Sequence, residues 1–397
     1  MESSDRFSKR THRISVSATM QVLTEAEKLK AQGIEIFDFG PGEPDFPTPA
    51  NVKAAGIRAI ESNFTKYTAT PGIMPLRESI ARHHGGEFGS SYSAKETIVT
   101  VGGKQALFNA MAALVDHGDE VILPTPFWVT FQDLITYHGG VPVFVPAREE
   151  NDFCLRAGDV ERAVTPKTKL IIVNSPNNPS GGVVAEEEFQ KIAQLAIDRD
   201  LFLITDEAYS HFLYEGRKPF SIASLGDAIK SRLVVIGTLS KTYAMTGWRL
   251  GYALGPEKLI QQMLKIQSHS TSNPTSISQR AALEALEGSQ DSVREMLDEY
   301  TRRRQYVLDA MGSIPGIRCA RPYGAFYVYP NVSALYGKGG IRNSMELAKA
   351  LLDRARIAVV PGEAFGTPEH LRFSYATSMD TIKRGLKVFR DFVISLG

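Results

Sequence analysis

The chain has little of what several protein classes require. Its 397 residues include only two cysteines, Cys154 and Cys319, which lie far apart and lack the spacing of metal ligands. This excludes a disulfide framework and favours a reducing compartment. No apolar run approaches the roughly 20 residues that a membrane span needs, and the polar residues 1–13 lack the apolar segment of a signal peptide. We therefore expect a globular protein located in the cytoplasm.

Net charge is also nearly absent, because 45 basic side chains face 44 acidic ones. Such a balance argues against a nucleic acid or a membrane surface as a partner. Arg302-Arg303-Arg304 is interpreted as a solvated helix face, since three charges do not make a nucleic-acid groove. His83-His84 is interpreted as a polar helix face rather than a metal site, with no third ligand nearby. The sequence thus predicts no metal.

Short apolar runs alternate with helical patterns between about residues 95 and 255. The runs are rich in Val, Ile and Leu and are interpreted as buried strands: Thr97–Val101, Glu120–Leu123, Val141–Val145, Leu170–Val173, Leu201–Thr205 and Leu233–Gly237. Continuous apolar strands suit a parallel sheet covered on both faces, and the alternation predicts an α/β domain. A charged helix from Ser289 to about Met311 introduces a second, α+β region, in which Ile357–Val360 is interpreted as one further strand.

Residues that can carry chemistry follow four of these strands. Gly102-Gly103-Lys104 follows the first, residues 174–182 (NSPNNPSGG) follow Leu170–Val173, and Asp206-Glu207-Ala208-Tyr209 follows Leu201–Thr205. The last strand leads into Thr238-Leu239-Ser240-Lys241 and then residues 246–251 (TGWRLG). Ligands gather at the carboxyl ends of strands in an open parallel sheet. We expect these segments to meet in one site.

Each segment alone has an ordinary structural explanation. A lone Lys after a strand is usually solvated, a lone Asp there is as often a helix cap, and NNPSGG is a good turn. Two glycines before a helix are weak evidence for phosphate binding. Their joint occurrence at strand ends of one domain is what indicates a shared ligand site.

Together these segments resemble class I aminotransferases, which are fold-type I enzymes that use pyridoxal 5'-phosphate (PLP). The resemblance runs from Gly42 to Arg372, and Lys241 with Gly247 and Arg249 stands at the family's spacing. It implies a large domain over residues 50–294 with a mostly parallel seven-stranded sheet. It also implies a smaller α+β domain formed by residues 1–49 and 295–397.

The resemblance assigns most site residues to the cofactor. Lys241 would bind the cofactor aldehyde and Asp206 would keep the ring nitrogen protonated, so that the ring acts as an electron sink. Tyr209 and Asn178 would hydrogen-bond the phenolic oxygen, and Trp128 would stack on the ring. The phosphate would be held by Gly103, Lys104, Thr238, Ser240 and Arg249. Thr238 departs from the family's usual Ser or Gly but keeps a hydroxyl.

Other family positions concern the substrate and a second subunit. Arg372 matches the clamp on the substrate α-carboxylate, and the backbone of Gly42 would approach the same carboxylate. Asn178 and Trp128 would contact the substrate as well. Tyr67 matches a tyrosine that reaches the phosphate from the neighbouring subunit. The resemblance therefore implies a homodimer with shared active sites.

Within the family the sequence is most similar to the bacterial aspartate aminotransferases of subgroup Iβ. There the Lys after the phosphate-loop glycines, here Lys104, recognises the distal carboxylate, and Ser17 and Thr19 match residues of a segment that covers the site. The resemblance thus implies ping-pong transfer between aspartate or glutamate and a 2-oxo acid such as 2-oxoglutarate or oxaloacetate. Gly40-Pro41 and Asn273-Pro274 depart from the subgroup.

Several alternatives remain open on the same scaffold, because fold does not fix reaction. They are an aromatic or prephenate aminotransferase, a PLP-dependent lyase, and a PLP-sensing transcription regulator. A regulator would need an appended DNA-binding domain, and no helix-turn-helix pattern precedes residue 40. His269, close to Lys241 in sequence, has no role that we can assign.

Overall fold

The computed structural model describes residues 7–15 and 18–397, with side chains omitted for residues 18–23. A seven-stranded sheet organises the middle of the chain, in the spatial order β2 (Thr97–Thr100), β8 (Gly251–Leu254), β7 (Leu233–Thr238), β6 (Phe202–Asp206), β5 (Thr168–Asn174), β3 (Glu120–Thr125) and β4 (Val141–Pro146). Strand β8 runs antiparallel to both of its neighbours, whereas the pairs among β7, β6, β5, β3 and β4 are parallel. The predicted α/β class with a mostly parallel sheet is confirmed.

Both faces of this sheet are buried. Along β5, Ile171 and Val173 enter one apolar cluster while Leu170 and Ile172 enter another on the opposite face. Successive side chains of a strand point to opposite faces, so a strand buried on both sides must be apolar at every position. This explains the continuous apolar runs in the sequence.

Helices cover the two faces and connect the strands. Those up to residue 287 are α1 (Ala18–Ala31), α2 (Ala50–Glu61), α3 (Met74–Phe88), α4 (Gly102–Leu114), α5 (Val129–Tyr137), α6 (Ala157–Ala163), α7 (Glu186–Asp198), α8 (Asp227–Lys230), α9 (Leu239–Thr242), α10 (Glu257–Ser268) and α11 (Ser276–Glu287). Helix α7 shows why they form: its first turn carries Glu186, Glu187 and Glu188, which interact favourably with the helix dipole. Its Phe189 and Ile192 pack on the sheet.

The remainder of the chain packs around a second core. Its elements are α12 (Asp291–Gly312), β9 (Tyr327–Val328), α13 (Ser344–Ala355), β10 (Ile357–Ala358), β11 (Val360–Pro361), β12 (Leu371–Ser374) and α14 (Met379–Ser395). Strands β11, β12 and β9 form an antiparallel sheet. Strand β1 (Phe37–Asp38), near the start of the chain, pairs with β10. The assignment of both chain ends to one domain stays a prediction.

Short 3-10 helices complete the secondary structure, at Thr11–Arg13, Ala94–Glu96, Glu149–Asn151, Ile222–Leu225, Ser333–Leu335 and Gly362–Phe365. Within the described ranges, no helix combines the length and the apolar character needed to cross a membrane.

Two strand expectations need correction. The apolar pattern missed β8, which has four residues and begins at a glycine directly after the segment around Arg249. The run Ile357–Val360 is not one strand, because the chain changes partners within it. Its first part pairs with β1, and Val360 pairs with Arg372 of β12.

The interpretation of Arg302-Arg303-Arg304 as a solvated face is wrong for two of its residues. Arg303 and Arg304 are buried at 5% and 2% exposure. Arg303 pairs with Asp45 and Glu299, and Arg304 donates to the Pro322 carbonyl and to Glu215. Arginines bury well when their donors are matched, and sequence periodicity does not reveal distant partners.

The interpretation of His83-His84 as a polar face is also wrong for His84. His84 is buried, with Nδ1 2.7 Å from Ser90 Oγ and Nε2 3.1 Å from Glu207 Oε2. His83 does have further potential ligands nearby, because Glu87 lies one turn along α3 and the fold brings His211 to the same place.

Candidate active site

The chemistry-bearing segments meet at the carboxyl edge of the large sheet, as expected from their positions after the strands. A cavity of about 420 Å³ lies there. Its lining includes the ends of β5, β6 and β7, the start of α4, and β12 from the C-terminal part of the chain, with these residues among others: Gly42, Gly103, Lys104, Trp128, Asn178, Asp206, Tyr209, Thr238, Ser240, Lys241, Arg249 and Arg372. All but three of the predicted site residues therefore line one cavity.

Lys241 sits on the short helix α9, immediately after β7. The side chain of Thr238 caps this helix by accepting a hydrogen bond from the Ser240 backbone. The Lys241 ammonium donates to the carbonyl of Gly42. Burial lowers the pKa of Lys241 to about 8, with help from the nearby Arg372 and Arg249, although Glu43 and Asp206 oppose the shift. An amine with this pKa is a usable base and nucleophile near neutral pH.

Asp206 ends β6 and is 7% exposed. Its Oδ1 accepts a hydrogen bond from the Ala208 backbone at 3.1 Å. Burial raises the pKa of Asp206 to about 6, with a contribution from Glu207, while the Ala208 hydrogen bond and Lys241 act in the opposite direction. A desolvated carboxylate facing a cavity is stabilised by a cationic ligand group. Asp206 is therefore suited to hold a protonated ring nitrogen.

An anion cradle is built where α4 begins beside β7. Gly102 has φ +77°, and a Cβ there would lie 2.6 Å from Nη2 of Arg249. The backbones also approach closely, since a Cβ on Gly251 would lie 2.2 Å from the Gly103 nitrogen. Only glycines permit this packing. The free N–H groups and dipole of α4, together with the guanidinium, favour a phosphate.

Hydroxyl groups complete the cradle. Thr238 Oγ1 lies 2.9 Å from Ser240 Oγ and 3.2 Å from the Leu250 carbonyl. Arg249 donates to the Thr246 carbonyl at 2.8 Å and adopts φ +52°. Such backbone geometry is costly for a side-chain-bearing residue, and it is found where function requires it.

Arg372 projects from β12 into the same cavity and is 2% exposed. Nη1 donates to Asn178 Oδ1 at 2.9 Å and Nη2 donates to the Gly40 carbonyl at 2.7 Å. The guanidinium lies 4.7 Å from the centre of the Tyr327 ring. A Cβ on Gly42 would lie 2.9 Å from the Tyr327 hydroxyl. These contacts hold the planar guanidinium of Arg372 in place. The neighbouring backbone at position 42 is so close to Tyr327 that only glycine fits there.

Tyr209 is linked to this group through Tyr327, since their hydroxyl oxygens are 2.7 Å apart. Burial, followed by the neighbouring Tyr327, raises the pKa of Tyr209 well above its usual value. Its hydroxyl therefore stays protonated and can donate a hydrogen bond.

Lys104 supplies a further cation to the cavity. Its Nζ lies 5.0 Å from the centre of the Trp128 ring, a cation–π distance. Burial lowers the pKa of Lys104, as does Arg249, while Asp133 raises it. Lys104 and Arg372 give the cavity two cations besides Lys241 and Arg249, the latter at the cradle.

The three remaining predicted residues differ in how far the structure describes them. Tyr67 is 91% exposed and does not line it, consistent with a role in another subunit's site. Ser17 lies outside the described residues. The backbone of Thr19 belongs to α1, but its side chain is outside the description. His269 is exposed at the end of α10 and gains no role.

The structure also adds residues that sequence reasoning did not single out. Tyr327 bridges Tyr209 and Arg372, and Glu43 accepts from Thr246 at 2.7 Å while facing Lys241. Tyr327 lies in an apolar strand without a distinguishing signal. Glu43 directly follows Gly42 in the sequence, so its position was the available clue.

Comparisons with known proteins agree with this geometry. Residues 34–389 match the family model for aminotransferase class I and II. An aspartate aminotransferase of Geobacillus stearothermophilus is 40% identical over 98% of this chain and 99% of that protein. An aspartate/prephenate aminotransferase of Nitrosomonas europaea is 41% identical over 96% of this chain and 98% of that protein.

Solved structures agree as well. The aspartate aminotransferase of Thermus thermophilus with maleate is 41% identical, with a TM-score of 0.92 over 97% of this chain and 99% of that one. The aspartate aminotransferase of Rhizobium meliloti has a TM-score of 0.95 at 37% identity, covering 99% of this chain and 100% of that one. Fold and site thus define a fold-type I, PLP-dependent enzyme. The chain belongs to the class I and II aminotransferase family and is a PLP-dependent aminotransferase.

Proposed function

We propose that this aminotransferase transfers the amino group of aspartate or glutamate to 2-oxoglutarate or oxaloacetate by a ping-pong mechanism. The observation that carries the proposal is the pair of cations Lys104 and Arg372 in one cavity. A substrate with two carboxylates can neutralise both cations. An apolar side chain would leave Lys104 without a carboxylate partner in the cavity, so such a substrate gains less binding energy than one with two carboxylates.

The residues present fit PLP at this site. The glycine-rich start of α4, with Arg249 and the hydroxyls of Thr238 and Ser240, suits the phosphate. Asp206, buried with a raised pKa, suits the ring nitrogen. Trp128 offers an apolar face on the same cavity. We assign these residues to the cofactor, together with the backbone of Gly103 and Lys104 and the side chains of Asn178 and Tyr209; the Lys104 side chain is left for the substrate.

When bound, the cofactor supplies an electron sink for the carbanion that forms at the substrate Cα. Lys241 Nζ would take the proton from the substrate Cα. The protonated amine would then give that proton back to complete the transfer, as the lowered pKa of Lys241 permits. Arg372 holds the α-carboxylate through its planar fork, and Asn178 keeps the fork in position. Tyr209 would donate a hydrogen bond to the phenolic oxygen of the cofactor, and Asp206 would stabilise positive charge on the ring nitrogen.

The active form in this proposal is a homodimer in which Tyr67 completes the partner's site. Support comes from the exposure of Tyr67, at 91%, and of apolar side chains on α2, with Ile57 at 55% and Ile60 at 53%. Exposed apolar surface of this kind commonly marks an interface.

Ser17 and Thr19 are proposed to cover the substrate. The cytoplasm remains the expected location, and both cysteines are free thiols.

An aromatic or prephenate aminotransferase is the second candidate. It is favoured by the relatives named aspartate/prephenate aminotransferases and by Trp128, whose ring faces the cavity beside Lys104.

A single-turnover panel of amino acids distinguishes the two candidates. Each amino acid is mixed with the holoenzyme, and the cofactor absorbance reports conversion to its amine form. Aspartate and glutamate should react with the highest kcat/KM. A preference for phenylalanine or tyrosine over both would overturn the substrate assignment and leave the aminotransferase activity standing.

A further inference from the structure

A cluster outside the active-site cavity gathers two histidines and a carboxylate. His83 and Glu87 are four residues apart on α3, so they share one face of that helix. His211 comes from the segment after β6 and approaches the same face. The three side chains line a surface cavity of about 560 Å³ between α3, the segment containing His211 and the start of α12. Their side chains are 26%, 21% and 22% exposed.

The spacing of the candidate ligand atoms matches a metal site. His211 Nε2 lies 3.0 Å from Glu87 Oε1, and His83 Nε2 lies 3.5 Å from Glu87 Oε2. One ligand atom from each side chain lies within 4.8 Å of the others. In a tetrahedral zinc site with bonds of about 2.1 Å, ligand atoms are about 3.4 Å apart. Small side-chain rotations would therefore bring the three onto one ion.

Two of the candidate ligand atoms have no other use in the described part of the chain. His83 Nε2 and Glu87 Oε2 are buried atoms without a hydrogen-bond partner there. Buried polar atoms are almost always hydrogen-bonded, and the 3.5 Å contact between these two atoms is not a hydrogen bond, so their position calls for an explanation.

His211 is also oriented as a ligand. Its Nδ1 lies 3.1 Å from Thr242 Oγ1 and 3.2 Å from Ser210 Oγ. Metal-binding histidines use one ring nitrogen for the ion and the other for such a hydrogen bond, which fixes the ring. By contrast, both ring nitrogens of the adjacent His84 are engaged by Ser90 and Glu207. His84 is thus excluded from the cluster.

The arginines around this cavity are held by other groups. Arg82 pairs with Glu287 and Arg294 pairs with Asp291. Arg217 stacks on the Tyr323 ring, with its guanidinium carbon 3.8 Å from the ring centre. None of these three guanidinium groups therefore takes the place of a metal ion beside His83, Glu87 and His211.

We propose that His83, Glu87 and His211 form a three-ligand site for a divalent transition-metal ion, with Zn²⁺ as the best match and water in the fourth position. Two imidazoles and one carboxylate are a recognised zinc donor set. A bound ion would tie the segment containing His211 to α3. That segment begins at Tyr209 in the active site, and Thr242 follows Lys241, so the metal site adjoins the catalytic residues without sharing them.

Equilibrium dialysis of the PLP-loaded enzyme against ZnCl₂, without amino acids or phosphate in the buffer, tests the proposal. Wild type should bind one Zn²⁺ per chain. His83→Gln and Glu87→Gln should each weaken binding, while His117→Gln, at an exposed histidine elsewhere, should not. Losing a residue that merely orients a ligand costs about 10–100-fold in metal affinity, so losing a ligand should cost at least that much. Absence of binding by wild type, or equal binding by all variants, overturns the proposal.

A second measurement uses wild type alone, so it does not depend on how the variants fold. Diethyl pyrocarbonate modifies neutral histidines, and peptide mapping reports the rate at each one. Stoichiometric Zn²⁺ should slow modification of His83 and His211 and leave His117 unchanged. Equal rates with and without Zn²⁺ at His83 and His211 would show that the three side chains form only a hydrogen-bonded cluster.

Discussion

Arg303 Nη1 lies 2.7 Å from Asp45 Oδ1, which joins the middle of helix α12 to the segment that precedes α2. Asp45 stands three residues after Gly42, which lines the active-site cavity. Arg303 also donates to Glu299 Oε1 at 2.8 Å and to the Tyr375 carbonyl at 3.3 Å. One buried guanidinium thereby holds together three parts of the chain around the site.

Arg303→Met should therefore destabilise the protein, because it leaves Asp45 and the Tyr375 carbonyl without their donor. Removing one partner of a buried ion pair costs about 3–5 kcal/mol. Arg302→Met is the matched control, since among the described residues exposed Arg302 pairs with Glu299 alone and an exposed pair is worth about 0–1 kcal/mol. The free energy of unfolding in urea measures both. Equal losses for the two variants would contradict the role of Arg303.

The same cluster predicts a dependence on pH. The hydrogen bond from Arg302, and then that from Arg303, hold the pKa of Glu299 at about 2 against the effect of burial. Because this pKa is depressed, ionised Glu299 contributes fully to the folding stability above pH 4.5, the ordinary pKa of a glutamate. This contribution is lost as the pH falls toward 2. The stability difference between wild type and Arg303→Met should narrow over that interval. A difference that widens on acidification would contradict the assignment.

Asp206→Asn should retain the cofactor and lose most of the activity, because an amide cannot stabilise a positive charge on the ring nitrogen. A catalytic charge is worth several kcal/mol, so the single-turnover rate with aspartate should fall by more than about tenfold. Asp200→Asn, at an exposed position paired with Arg232, serves as the control. A variant that keeps more than a tenth of the wild-type rate would exclude this role for Asp206.

Mixing two inactive proteins tests the shared site. Lys241→Ala and Tyr67→Ala should each be defective, but a hybrid dimer contains one site in which both residues are native. After free exchange, the mixture should regain about a quarter of wild-type activity, since half of the dimers are hybrid and half of their sites are intact. No recovery, despite exchange shown by mass spectrometry, would mean that both residues act within one chain.

The sequence was most informative where local chemistry and strand position coincide. Continuous apolar runs predicted six of the seven strands of the large sheet, and the residues following them, such as Asp206 and Lys241, line one cavity. These features are local, because a buried strand must be apolar and a ligand site must lie at its carboxyl end.

What the sequence did not reveal depends on contacts between distant residues. Arg303 looked solvated, yet its partner Asp45 is 258 positions away. Tyr327 looked like one more apolar strand residue until the fold placed its hydroxyl against Tyr209. His211 lies 128 positions beyond His83, so the cluster of the two with Glu87 exists only in the folded chain. Hydrophobic periodicity indicates which face of a helix or strand is buried, but it does not show which distant side chains contact that face.

The substrate assignment rests on Lys104, whose side chain enters the cavity from the start of α4. A charge-assisted contact with a distal carboxylate is worth roughly 1.5–3 kcal/mol, or about one to two decades in rate. Activity with phenylalanine or alanine gains nothing from this contact, because neither has a second carboxylate. Selectivity between the two substrate classes is therefore the quantity that reports the role of Lys104.

The decisive measurement is kcat/KM of Lys104→Ala for aspartate, glutamate, phenylalanine and alanine, with the exposed Lys265→Ala as the matched control. We predict that the values for aspartate and glutamate fall by one to two decades, as estimated above, while those for phenylalanine and alanine change little. Lys265→Ala should leave all four unchanged. An equal fall for all four substrates in Lys104→Ala would contradict the account, because it would mean that Lys104 serves the cofactor rather than the substrate's second carboxylate.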